Sequence, residues 1–298
     1  MKKSSRSSAI LLAAAIAFCG ACHAESKSTG PLELRISAPD RAFVQGEPVP
    51  IRVEITNRSD KVVQVTEALE PEYLMLRFRV TDPKGRTYVP EPFVAASSES
   101  SEVALGPGDK LTYTSVLLFG LVNDIQRFIF DKTGKYRVEA LYSYYDVHGT
   151  GGIITSEPVT IRVIQPDGVD GQAQRLFVGL EQGRLACGAG TNRAAVGSFH
   201  EILRKYPTSR FAPYAAYYLG LHYLNQRDYK QGTELLEGIL ADYKEFPLKA
   251  ELSYRLAIRY YETGRKGEAK KLLTGLTAKE PSDLFARRAE RLLRELQF

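Results

Sequence analysis

The chain contains no tryptophan, two methionines and only three cysteines in 298 residues. Three cysteines cannot build the bridges of a small disulfide scaffold. An antibody-type domain, which packs a core tryptophan on a cysteine pair, is excluded by the same two shortages. Long apolar runs are missing too. The longest, Ala9 to Phe18, has ten residues and is too short to cross a bilayer as a helix. What remains is ordinary: 44% hydrophobic, 25% charged and 10% aromatic residues. That composition excludes wholesale disorder, collagen and a multi-pass membrane protein. At about 150 residues per domain, the length predicts two domains.

The N-terminus carries an export pattern. Met1-Lys2-Lys3-Ser4-Ser5-Arg6 is positive, the apolar run follows, and Cys19-Gly20-Ala21-Cys22-His23-Ala24 is mostly small. This is the layout of a secretory signal peptide over residues 1–24, cleaved after Ala24. The rival is lipoprotein processing, with Cys22 as the lipidated first residue. Gly20 and Ala21 suit it, but Cys19 stands where a branched aliphatic is wanted; a lipobox at Cys19 itself would have bulky Phe18 before it. A free exported product, periplasmic or secreted, is the expectation, with membrane attachment only if Cys22 is lipidated. Export to an oxidising compartment then leaves Cys187 as the one cysteine, so no internal disulfide forms. Cys187 reads as a small apolar residue near a helix end, or as a reactive or intermolecular thiol. No His or Arg beside it in sequence lowers its pKa.

From Leu32 to about Ile164 the hydrophobic pattern has period two. Leu32, Leu34 and Ile36 alternate with polar residues, as do Ile51, Val53 and Ile55, and Leu74, Leu76, Phe78 and Val80. Tyr136 to Tyr142 and Val159 to Val163 repeat the theme. Alternation of this kind predicts strands with one face on a core. Gln45-Gly46-Glu47-Pro48, Asp82-Pro83-Lys84-Gly85 and Gly106-Pro107-Gly108-Asp109 separate them as turns. About seven strands with frequent turns predict a β-sandwich over residues 30–165. Ser97 to Ser101 reads as a loop tip.

The segment Asp131-Lys132-Thr133-Gly134-Lys135-Tyr136-Arg137-Val138 resembles the entry to a late strand of immunoglobulin-like sandwiches. Tyr136 matches the tyrosine whose hydroxyl bonds backbone a few residues upstream. The Gly46-Glu47-Pro48-Val49 turn and Asn57 resemble bacterial extracytoplasmic modules of that architecture. The resemblance implies a scaffold or binding module, though fold alone does not fix function.

Gln165-Pro166-Asp167-Gly168-Val169-Asp170-Gly171 reads as the boundary, with a linker at 166–171. Beyond it the period becomes helical, and a 37-residue repeat is visible. Gly183, Gly220 and Ala257 align as small residues, as do Ala195, Gly232 and Ala269, twelve positions later in each unit. Phe199, Leu236 and Leu273 align as large apolar residues, and Tyr223 aligns with Tyr260. Small residues at fixed spacing let two helices pack closely. The pattern resembles the tetratricopeptide repeat: Leu219-Gly220-Leu221-His222-Tyr223 carries its first part and Glu268-Ala269-Lys270-Lys271-Leu272-Leu273 its second. The first unit departs most, with Ala186 where the Tyr should stand. The expected architecture is therefore multidomain, all-β plus all-α. It is an immunoglobulin-like β-sandwich, then a helical solenoid over 172–298 of three units and a terminal helix from Leu284 to Leu296.

No catalytic constellation is visible. His200-Glu201 lacks the second His of a zinc protease motif, no Gly-x-Ser-x-Gly elbow is present, and Gly149-Thr150-Gly151-Gly152 sits between strands rather than before a helix. His148 falls in that Gly-rich turn. No cofactor or metal is expected. Binding has the better case, because stacked helix pairs curve into a concave face. The resemblance implies that the first helix of each pair lines it. In the first unit that lining is Phe177, Leu180 and Arg184; in the second it is Tyr214, Tyr217, Leu221 and Asn225. In the third it is Glu251, Tyr254, Ile258, Tyr261 and Glu262. Ten of the 17 tyrosines lie beyond the linker, and tyrosine suits interfaces. Tyr223 and Tyr260 read as packing between helices, whereas Tyr217, Tyr254 and Tyr261 are open to either role. Arg287, Arg288, Arg291 and Arg294 form a basic terminal helix that Glu290 and Glu295 interrupt; it reads as a solvated cap, not a nucleic-acid site.

The expected function is an exported scaffold of the bacterial cell envelope that binds a peptide or partner protein on the concave face. The alternatives are an extracytoplasmic enzyme or inhibitor acting through sandwich loops such as Ala95 to Val103, and a lipid-anchored scaffold. Charge divides along the same boundary. The formal net charge of +5 becomes +2 without residues 1–24, as −5 for residues 25–171 and +7 for residues 172–298. That asymmetry favours contact between the modules, or an acidic partner for the repeats.

Overall fold

The computed structural model describes residues 30–93, 102–145, 151–190 and 192–296. Its first half is β-structure and its second half is helical. The strands are β1 (Leu32–Ser37), β2 (Ala42–Val44), β3 (Val49–Asn57), β4 (Val63–Thr66), β5 (Leu76–Thr81), β6 (Thr87–Tyr88) and β7 (Glu102–Leu105). They continue as β8 (Lys110–Leu117), β9 (Phe119–Val122), β10 (Ile125–Phe128), β11 (Gly134–Tyr145), β12 (Gly151–Thr155) and β13 (Val159–Ile164). One antiparallel sheet has the order β1-β3-β8. A second has the order β2-β13-β11-β5-β6, with β12 also paired to β11; the β2–β13 pair is parallel. Leu32, Ile51, Val53 and Ile55 of the first sheet and Phe78, Val80, Tyr136, Val138 and Ile161 of the second share one buried cluster. These are the residues that the period-two pattern pointed inward.

Two local readings change. Leu74 does not begin a strand. It follows a 3-10 turn (Pro71–Tyr73) in a left-handed conformation, φ +61°, and is 44% exposed. The short strands β2, β4, β6, β7, β9 and β10 carry too few alternations to be visible in the sequence. The Tyr136 hydroxyl behaves as expected: it accepts from the Lys132 amide at 3.0 Å and donates to the Lys132 carbonyl at 3.2 Å. The Ser97–Ser101 tip and His148 lie outside the described residues.

The helices are α1 (Gly168–Phe177), α2 (Leu180–Ala186), α3 (Arg193–Lys205), α4 (Ala212–Asn225), α5 (Tyr229–Asp242), α6 (Lys249–Glu262), α7 (Lys266–Lys279) and α8 (Leu284–Glu295). Helix α1 begins inside the expected linker, because Ala173 and Phe177, one helical turn apart, are both buried and Phe177 stacks on Phe199. Side chains at the helix starts occupy free amides: Asn192 caps α3, Asp228 caps α5 and Asp283 caps α8.

The small residues work as close-approach points. A Cβ on Gly232 would lie 2.9 Å from the Gly220 carbonyl, and one on Gly220 2.5 Å from Leu236 Cδ2. Helices α4 and α5 therefore meet almost backbone to backbone. Ala257 and Ala269 occupy the matching places in α6 and α7, both fully buried. Gly183 faces the β half instead, since a Cβ there would collide with the Phe119 ring of β9.

The two halves are joined through packed side chains. Leu284 and Phe285 of α8 belong to the core of the sheets. Val44, Leu118, Phe119 and Phe128 belong to the core of the helices. The Thr112 amide of β8 donates to the Ser282 carbonyl at 2.8 Å, and Arg52 pairs with Glu280 at 2.9 Å. The terminal helix is not the solvated cap its charge pattern suggested. Arg288 pairs with Glu70 and donates to the Glu67 carbonyl, Arg291 pairs with Glu67, and Arg287 donates to the Lys110 carbonyl. Only Arg294, paired with Glu290, stays on an exposed helix face. The opposite charges of the two halves are thus partly consumed at their own junction.

Candidate functional site

Helices α4 and α6 were expected to offer a free concave face. Tyr214 and Tyr217 are both 3% exposed, so Tyr214 is packed away from any free face and Tyr217, open to either role, packs as well. They pack on Phe246, with ring centroids 5.4 and 5.6 Å away, in the cluster that Leu118 and Phe119 enter from the β half. Phe177 is likewise buried. Tyr254 lies 5.7 Å from the Phe285 ring and packs against the core of the sheets. These apolar positions are filled from within the chain. Of the other first-unit positions, Leu180 is exposed and Arg184 donates to Gln126 at 2.8 Å.

One crevice remains where β8, the 3-10 turn, α2, α4 and α6 meet. Its volume is about 330 Å³, within the usual range for a ligand site. Tyr217, Leu221, Asn225 and Glu251 line it, together with Tyr113, Tyr218, Glu70, Glu72 and Arg255. Phe93 and Phe119 add apolar wall. Tyr214, Tyr254, Ile258, Tyr261 and Glu262 do not line it; Ile258 and Tyr261 are half-buried and Glu262 pairs with Arg259 on an exposed turn. Four of the twelve expected groove residues therefore converge on one site and eight, Phe177, Leu180 and Arg184 among them, do not. The contribution of the β half was not visible in the sequence. Tyr113 alternates like any core residue of a strand, and nothing in Glu70-Pro71-Glu72 signals proximity to α6.

The crevice is electrostatically loaded. Glu251, largely buried, accepts from Arg255 at 2.7 Å. Burial first, and then Glu251, holds the Tyr217 phenol far above its ordinary pKa. Arg255 is held above its ordinary value by Glu251 despite desolvation. Burial raises Glu72, and repulsion from Glu70 and Glu251 adds to it. Tyr113 is raised by burial and then by Glu251, Glu70 and Glu72, which line the same crevice. Tyr113, 4% exposed, and Tyr218, 7% exposed, line the crevice; neither hydroxyl makes a hydrogen bond within the described residues, and neither is a sealed, unpartnered atom, so both open onto the crevice.

Cys187, at the edge of the crevice, is half-buried at the end of α2 with its sulfur 3.7 Å from the Phe119 carbonyl. Burial, with Glu72 nearby, pushes the thiol up to about 12, so it is held protonated. Cys22 lies outside the described residues. Among the described residues no group of three or more His, Cys, Asp and Glu is placed to hold a metal, and no helix is long and apolar enough to cross a membrane. A second, more open groove of about 790 Å³ runs between α6, α7 and the start of α8. Its charges are of both signs, and its buried carboxylate, Asp283, is already used as the α8 cap.

No family model and no curated protein sequence matches the chain. Among solved structures, the ApaA protein from Bordetella pertussis is 15% identical with a TM-score of 0.29, covering 46% of this chain and 98% of its own. A β-glucosidase from Listeria innocua is 19% identical with a TM-score of 0.27, covering 47% of this chain and 17% of the enzyme. The C-terminal domain of Wzt is 8% identical with a TM-score of 0.27, covering 47% of this chain and 77% of that one. At these scores they inform neither fold family nor activity.

Proposed function

We propose that this chain is an exported scaffold protein of the bacterial cell envelope. In this reading the β half is an immunoglobulin-like sandwich and the helices form a tetratricopeptide-like array. Together they hold a segment of a partner protein in the crevice at their junction. The observation that carries the reading is the convergence of Tyr217, Leu221, Asn225 and Glu251, positions named by the repeat pattern, on one crevice. The charged N-terminal pattern with its short apolar run supports export. The Tyr136 hydroxyl bonds and the close-approach glycines support the two architectures.

A photo-crosslinking residue at Asn225, on the exposed lip of the crevice, tests the reading against one at Glu234, exposed on α5 and outside the lining. Crosslinking in the native envelope is expected from position 225 and not from position 234. Equal labelling from both positions, or labelling from 234 alone, overturns the assignment.

A further inference from the structure

We infer that the crevice is a socket for a single basic side chain, lysine or arginine, presented by an extended peptide segment. The inference rests on the scaffold reading and names what the scaffold recognises. Three carboxylates, Glu70, Glu72 and Glu251, line the crevice. Arg288 already holds Glu70 and Arg255 holds Glu251, which leaves Glu72 without an ion-pair partner among the described residues. An entering anion would be repelled by Glu72, whereas an entering cation completes its pairing beside two occupied pairs.

The hydrogen-bonding inventory points the same way. A lysine ammonium brings three donors and no acceptor, and a guanidinium brings five. The crevice offers what such a group lacks: carboxylate oxygens, and the lone pairs of the Tyr113 and Tyr218 hydroxyls. Both hydroxyls belong to residues more than nine-tenths buried, make no hydrogen bond within the described residues and open onto the crevice. An arriving N–H would reach them. The walls suit the rest of the side chain. Phe93 and Phe119 provide apolar surface for a methylene stem, and the tyrosine rings add a favourable face for the charge. The volume of about 330 Å³ admits one such side chain and its flanking backbone, not a folded domain.

The absence of tryptophan from the chain makes the test simple. Capped hexapeptides with one tryptophan reporter and one variable residue, Lys, Arg, Gln or Glu, are titrated with the purified protein, and tryptophan anisotropy is read. The Lys and Arg peptides are expected to bind about tenfold or more tighter than the Glu peptide. Glu72→Gln weakens the Lys and Arg peptides several-fold and leaves the Gln peptide unchanged. Tyr113→Phe and Tyr218→Phe weaken them without lowering the thermal midpoint, because each removes a hydroxyl that makes no hydrogen bond within the described residues of the free protein. That pairing of weaker binding with unchanged stability separates a binding role from a structural one. Gln or Glu peptides that bind as tightly as Lys peptides, while crosslinking stays specific to position 225, overturn the basic-residue inference and leave the scaffold reading standing. Lys binding untouched by Glu72→Gln and both Tyr→Phe changes also overturns it. No binding by any peptide, together with loss of position-specific crosslinking, overturns both.

Discussion

Arg288 on α8 and Glu70 before the 3-10 turn form a two-armed ion pair across the junction of the two halves, 218 residues apart in sequence. The second arm measures 3.1 Å, and the side chains are 19% and 16% exposed. Glu70 also lines the crevice, so this pair ties the terminal helix to the wall of the candidate site. A charge left alone there loses its partner in a partly desolvated place. Arg288→Ala is expected to cost on the order of 2 kcal/mol, read as a lower urea midpoint. Arg294→Ala is the contrast. Its pair with Glu290 is 67% and 59% exposed, and its loss should stay within about 0.5 kcal/mol.

Two glycines on α5 should respond to the same substitution with opposite signs. Gly232→Ala places a methyl 2.9 Å from the Gly220 carbonyl and 2.7 Å from Leu224 Cδ2. Backbone must move apart, at a cost of about 1–3 kcal/mol that exceeds the gain in helix propensity. Gly238→Ala meets nothing within 4 Å, so only the propensity term acts, stabilising by roughly 0.5–1 kcal/mol. Thermal unfolding of the two variants checks both signs.

Asp283 gives the protein a pH dependence. Burial pushes its carboxyl up to about 6, with Glu280 adding and the Phe285 and Ala286 amides and Arg52 opposing. The folded value lies above the ordinary carboxylate value, so the folded state holds the proton more tightly. The contribution to stability is fully present below about pH 4 and is lost as pH rises through 6. Asp283→Asn keeps a capping oxygen and removes the titration. Relative to the parent, the variant should gain stability between pH 4 and pH 7, by on the order of 2 kcal/mol, measured as the difference in urea midpoints at the two pH values.

How far the sequence reaches can be judged from particular residues. Val53, Phe78 and Tyr136 announced their inward faces because burial on one side of a strand imposes period two. Gly220 and Gly232 announced a helix contact because nothing larger fits there. These are local constraints with periodic signatures. The fate of Tyr214 and Tyr217 is not local. Their positions on the first helix of a pair are those of a groove, yet Phe119 and Leu118, about a hundred residues earlier in the chain, enter the same buried cluster. Gly183 keeps the small residue of the pattern, yet the Phe119 ring, not a neighbouring helix, occupies the space of its missing side chain, and nothing in the alignment distinguishes the two. Arg288 and Arg291 looked solvated because an arginine-rich helix has the same composition whether it faces water or Glu67 and Glu70. The charge division of the chain carried that information only in aggregate.

The most direct measurement compares two single-cysteine proteins in a background of Cys19→Ala, Cys22→Ala and Cys187→Ala, one with Asn225→Cys and one with Glu234→Cys, each carrying a bulky maleimide adduct. Binding of the tryptophan-bearing Lys peptide is then read by anisotropy. The account predicts that the adduct at position 225, on the lip of the crevice, abolishes binding, while the adduct at position 234 leaves it unchanged. Undiminished binding with position 225 blocked would contradict it.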